Sequence, residues 1–100
     1  MARFDVYPMP GGGAGALLDV QADLLERLRT RVVVPLVPVG DAPVPIRDLN
    51  PVVRVAGRDL VMLTQAMAAV PVRELRAPVG SLRGEADVVV RALDILLTGF

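Results

Sequence analysis

Arg31-Val32-Val33-Val34-Pro35-Leu36 is a run of branched aliphatic residues interrupted by one proline, and it reads as a buried β-strand. Proline cannot donate to a ladder, so this strand is expected at a sheet edge, at an end or at a bulge. Downstream, Pro38, Pro43 and Pro45 hold the chain extended and out of any sheet centre. Residues 52–55 and 60–63 then flank Ala56-Gly57-Arg58-Asp59, a hairpin signature in which Gly57 takes a positive φ at low cost. Val70-Pro71-Val72 adds a further extended piece. Upstream, Arg3 to Tyr7 alternates polar and apolar residues, with Phe4 and Val6 on one face. A strand over residues 16–22 sets Leu18 and Val20 inward and Asp19 and Gln21 outward. The glycine-rich stretch between these two strands, from Pro8 to Gly15, forbids regular structure. It predicts a flexible loop, since no Lys-Ser/Thr follows to make it a phosphate cradle. Short strands at close spacing, punctuated by Gly and Pro, predict a mainly β fold, a small antiparallel barrel or roll.

The only long helix predicted spans residues 82–97, with Ser81 as N-cap and Glu85 near the positive end of the dipole. Val89, Ala92, Leu93 and Leu96 follow the spacing of a buried face, and Asp87, Arg91, Asp94 and Thr98 form an outward polar stripe. This helix runs directly into Thr98-Gly99-Phe100, with no polar tail behind it. Chain ends usually fray unless something ties them down, so an apolar helix ending in Gly-Phe reads as a contact device. Leu24 and Leu25 are a second candidate contact, because Asp23 and Glu26 on either side place the pair in a surface loop or brief helical turn.

One hundred residues make one domain. With 53% apolar residues and three aromatics, the chain carries more Val, Leu and Ala than a core of this size asks for, which suggests a buried partner surface. Net charge is zero, and eleven arginines spread along the chain with no lysine argue against direct nucleic-acid binding. Without Cys or His there is no disulfide, no Cys/His metal site and no ordinary general base, so neither catalytic residues nor a cofactor are expected. Asp19 and Asp23 could form a carboxylate pair, but a solvent-facing Asp19 and a turn-capping Asp23 is the plainer reading. Arg27, Arg29 and Arg31 could grip phosphate, and a solvated strand face is again plainer. The longest uncharged run, residues 60–72, is too short to span a membrane, and charges at Arg3 and Asp5 break any export signal. A cytoplasmic protein is expected.

The order of several words along the chain resembles the CcdB family of plasmid-addiction toxins. They are Asp19-Val20-Gln21-Ala22-Asp23-Leu24-Leu25, Val32-Val33-Val34-Pro35-Leu36, Leu49-Asn50-Pro51-Val52-Val53, Met67-Ala68-Ala69-Val70-Pro71-Val72, and the ending from Ala92 to Phe100. The resemblance implies an SH3-like antiparallel barrel with a C-terminal α-helix, acting as a homodimer. It further implies binding to the DNA gyrase A subunit and trapping of that enzyme on cleaved DNA, with neutralisation by a CcdA-like antitoxin whose disordered tail folds onto the toxin. The gyrase surface it implies comprises Leu24, Leu25, Glu26, Asp87, Arg91, Asp94, Thr98, Gly99 and Phe100. Gly99 stands where the family has glycine, Phe100 where it has an aliphatic terminal residue, and Leu24-Leu25 where it has two isoleucines. Glu26 replaces Asp, while Asp87, Arg91 and Asp94 replace Asn. Thr98 occupies the place of a tryptophan that stacks on gyrase in the best-known member. Two alternatives share the fold. One is an antitoxin-binding protein that has lost gyrase poisoning; the other is an endoribonuclease toxin, against which the missing His, missing Lys and zero net charge weigh.

Overall fold

The computed structural model describes residues 1–100. Seven strands form one antiparallel sheet: β1 (Asp5–Pro8), β2 (Ala16–Asp19), β3 (Thr30–Pro38), β4 (Val52–Val55), β5 (Arg58–Met62), β6 (Ala68–Pro71) and β7 (Gly80–Ser81). Their order is β4-β5-β3-β2-β1-β7, with β6 also on β3. The sheet curls until its ends meet: a Cβ on Gly80 in β7 would lie 3.4 Å from a Val55 methyl in β4, so the barrel is nearly closed. A single helix, α1 (Ala86–Thr98), completes the chain.

The strand β3 is central rather than peripheral. It pairs with β2 along one side and with two successive partners along the other, β6 opposite residues 30–33 and β5 opposite residues 36–38. Pro35 falls in the gap between those two partners. Val20 N–H donates to the Val32 carbonyl, so even-numbered residues of β3 bond toward β2 and Pro35 turns its nitrogen the other way, where no ladder partner waits. Its carbonyl still accepts from Leu63 N–H at 2.9 Å. The proline is therefore tolerated at a change of partner, a variant of the bulge position.

The β4–β5 hairpin is tighter than its signature suggests. Only Ala56 and Gly57 form the loop, with φ of 51° and 80°, as a two-residue turn of matching twist requires. Arg58 and Asp59 belong to β5, and Asp59 pairs across the strand with Arg54 at 3.1 Å. The helix starts later than residue 82. Leu82 is buried ahead of it, a short 3-10 turn (Arg83–Glu85) leads in, and Ser81 Oγ accepts from Arg83 N–H at 3.1 Å instead of capping α1.

Val89, Ala92 and Leu93 of α1 enter the main core with Val6, Leu18, Val34, Leu36, Leu60 and Met62 from inside the barrel. Leu96 is only half-buried. A smaller cluster of Tyr7, Leu17, Val33 and Leu75 lies on the opposite face of the sheet, under the irregular segment after β6. Both faces of β2 and β3 are thus covered. Asp19, Gln21 and Arg31, read from their alternation as outward, are buried for this reason.

Candidate functional site

Asp23–Leu25 form a single 3-10 turn whose residues are all exposed, Leu24 to 91%. No side chain caps it. Asp23 Oδ1 instead accepts from the Arg3 backbone N–H at 2.7 Å, tying the turn to the start of the chain. The turn is braced from beneath by three buried polar side chains. Arg31 pairs with Asp19, Nε to Oδ2 at 2.8 Å and Nη2 to Oδ2 at 2.7 Å. The other Asp19 oxygen accepts from Gln21 N–H at 3.0 Å. Gln21 then uses both ends of its amide: Oε1 accepts from Val32 N–H and Nε2 donates to the Leu25 carbonyl, each at 3.1 Å. A continuous chain of bonds therefore leads from the ion pair to Leu25.

Burial pushes the Asp19 carboxyl above its ordinary range, against the hydrogen bonds from Arg31 and the Gln21 N–H, which pull it down. Held this way, Asp19 forms no carboxylate pair with Asp23, and Arg31 does not join Arg27 and Arg29 on a solvent face. Only the last two are exposed.

At the other candidate contact, Gly99 takes φ of 85° and its N–H bonds the Asp94 and Ile95 carbonyls, both at 3.1 Å. This left-handed cap ends α1, and a side chain there would be strained by conformation alone, since a Cβ would meet nothing within 4 Å. Thr98 folds back on its own helix, its hydroxyl donating to the Asp94 carbonyl at 2.6 Å. Phe100 is 88% exposed beyond it.

Between turn and helix lies a groove of about 540 Å³, mostly apolar. Leu25 and Leu28 form one wall, Val90, Leu93 and Leu97 the other, with Val32 and Met67 also lining it and Asp94 and Arg3 among its polar residues. Of the sequence-derived candidates, only Leu25 and Asp94 line this groove. Thr98, Gly99 and Phe100 follow at the exposed helix end, and Leu24 projects into solvent. Asp87 and Arg91 are exposed farther back on α1, where Arg91 reaches Asp48 at 3.4 Å. Glu26 lines a different depression, with Leu28, Arg29, Val72 and Arg73. The groove wall on α1 was not among the sequence candidates. Its signal is there to be read, since Val90 and Leu97 widen the core stripe at i−3 and i+4 from Leu93.

No three carboxylates come together as a metal-binding cluster, and the only buried carboxylate is committed to Arg31. The arrangement is suited to protein contact: exposed aliphatic side chains on a rigidly braced turn, facing an exposed helix end. No curated protein matches the chain. A family model described as CcdB protein matches residues 3–99, the whole barrel, the braced turn and the helix through its glycine cap, and the chain therefore belongs to the CcdB family.

Proposed function

We propose that the protein is the toxin of a type II toxin–antitoxin pair, acting as a homodimer that binds the DNA gyrase A subunit through the Leu24-Leu25 turn and the end of α1, and neutralised by a CcdA-like antitoxin. The observation that carries this reading is the facing of two exposed aliphatic side chains, Leu25 and Leu97, across one apolar groove, with Leu24 and Phe100 exposed beyond them. A monomer gains nothing from such exposure, whereas a protein interface uses it. The test is a cleavage assay with purified gyrase and supercoiled DNA. Cleaved DNA should accumulate with the intact chain and not with one lacking Gly99 and Phe100; no cleavage at any concentration of intact protein overturns the gyrase assignment.

One observation favours a second reading, a CcdB-fold protein that binds antitoxin without poisoning gyrase. Thr98 spends its hydroxyl on the Asp94 carbonyl and presents no aromatic surface where the resemblance places a stacking tryptophan. Aromatic anchors of interfaces are worth at least about 2 kcal/mol. Gain of DNA cleavage by Thr98→Trp, starting from an inactive parent, would select this reading.

A further inference from the structure

The depression on the far side of Glu26 has a character unlike the groove. It encloses about 310 Å³ and is lined by Glu26, Leu28, Arg29, Val72 and Arg73. Val72 N–H donates to the Arg29 carbonyl at 2.8 Å, which sets Arg29 opposite Val72, the residue before Arg73, and both arginines line the depression. Both residues are exposed. The ion pairs of the chain join Arg31 to Asp19, Arg54 to Asp59 and Arg91 to Asp48, so neither Arg29 nor Arg73 has a carboxylate within 4.0 Å. Their guanidinium groups make no hydrogen bond to the rest of the chain either; those of Arg3, Arg31, Arg54, Arg58 and Arg91 do. Two guanidiniums against the single Glu26 carboxylate leave the walls with an excess of positive charge in a chain whose net charge is zero.

We propose that this depression is a docking subsite for an acidic, aliphatic peptide segment of a partner protein. A carboxylate of that segment sits between Arg29 and Arg73, and a neighbouring aliphatic side chain lies on Leu28 and Val72. The guanidinium fork matches a carboxylate in two parallel hydrogen bonds, and the aliphatic walls accept a side chain that a free anion does not carry. Single-stranded nucleic acid is the poorer occupant, because the walls offer no aromatic platform on which a base could stack. The subsite goes beyond the gyrase contact: of its walls only Glu26 belongs to that surface, and neither arginine lies on the turn or on α1.

The test uses the full chain and a fluorescein-labelled peptide in which Glu alternates with Leu and Ser, with anisotropy as readout. The Glu peptide should bind, its Gln counterpart should not, and binding should weaken on raising salt to about 0.5 M. Arg29→Glu and Arg73→Glu should each weaken binding by about tenfold or more, and Glu26→Gln should tighten it. The double variant Arg29→Glu, Arg73→Glu should instead take up the Lys counterpart of the peptide, a gain that misfolding cannot produce. Arg83→Glu, on the turn before α1, should change nothing. Equal binding of the Glu and Gln peptides, unchanged binding by the double variant, or competition by single-stranded RNA as effective as by the acidic peptide itself would overturn the proposal.

Discussion

The outer face of β2 and β3 and the Leu24-Leu25 turn are adjacent in the chain and opposite in character. The first hides an aspartate, a glutamine and an arginine, with Asp19 and Arg31 fully buried; the second displays leucines, with Leu24 almost fully exposed. Either arrangement alone would be a poor use of free energy, because buried charge costs desolvation and exposed leucine forgoes burial. Taken together they make sense, because Gln21 joins them: its side chain bonds β3 at one end and the turn at the other. Buried polarity holds exposed apolarity in place. The comparison can be broken at either end or at its junction.

The largest effect on stability is expected from Asp19→Ala. It leaves Arg31 buried without a counter-charge, on a face where Arg31 Nη1 already lacks a partner, and a loss of about 3–5 kcal/mol follows. Chemical denaturation measures it. A loss below about 1 kcal/mol would show that water reaches the pair. The combined variant Asp19→Leu, Arg31→Met should recover most of the stability while lacking the bonds that lead to the turn.

Next in size is Gln21→Ala, at the junction itself. Removing the amide strands the Val32 N–H and the Leu25 carbonyl, for a cost of about 1–3 kcal/mol. Amide hydrogen exchange should accelerate through residues 22–28 and remain slow in α1, to which Gln21 makes no hydrogen bond. Uniform acceleration across the chain would mean that Gln21 supports the whole barrel and not the turn.

Why these residues could not be placed from the sequence is a matter of what covers them. Alternation along residues 16–22 correctly sends Leu18 and Val20 to the barrel core, and a one-sided sheet would leave Asp19 and Gln21 in water. The other face is covered by an irregular segment that contributes Leu75, and a cover without periodicity leaves no mark to read. The hairpin at Ala56-Gly57 and the core stripe of α1 were legible because each follows from local rules, the positive φ of a tight turn and the 3.6-residue repeat. The central place of β3 was not. Pro35 argues locally for an edge, and only the long-range change of partner from β6 to β5 makes room for it. At the site the turn and helix tip were legible as exposed apolar words, while the groove joining them depends on how α1 docks.

A smaller effect, and one of opposite sign, is expected from Tyr7→Phe on the polar face. The Tyr7 hydroxyl is buried without a hydrogen-bond partner, so removing it should be neutral or stabilising by up to about 1 kcal/mol. Burial, and then the nearby charges of Asp5 and Asp19, push its pKa above the ordinary 10.0. The unfolded chain therefore releases this proton first. The contribution to stability is complete below pH 10.0 and is lost as pH rises from there toward the folded value. Denaturation midpoints across that range should fall less steeply for Tyr7→Phe than for the parent, and parallel curves would show that the phenol does not titrate with folding.

The smallest effect on stability should come from Leu24→Ser, and this variant sharpens the comparison most. Leu24 is 91% exposed and belongs to neither core cluster, so its loss should stay within about 0.5 kcal/mol. If the turn is a contact and Gln21 exists to hold it, the same substitution should weaken target or antitoxin binding by about 2 kcal/mol, roughly 30-fold. Gln21→Ala should weaken binding as well, but as a consequence of disorder: cooling or a stabilising second substitution should restore its binding and leave that of Leu24→Ser unrepaired. Full binding by Leu24→Ser would leave the exposed leucine without a purpose, and the buried bracket beneath it would then serve the barrel alone.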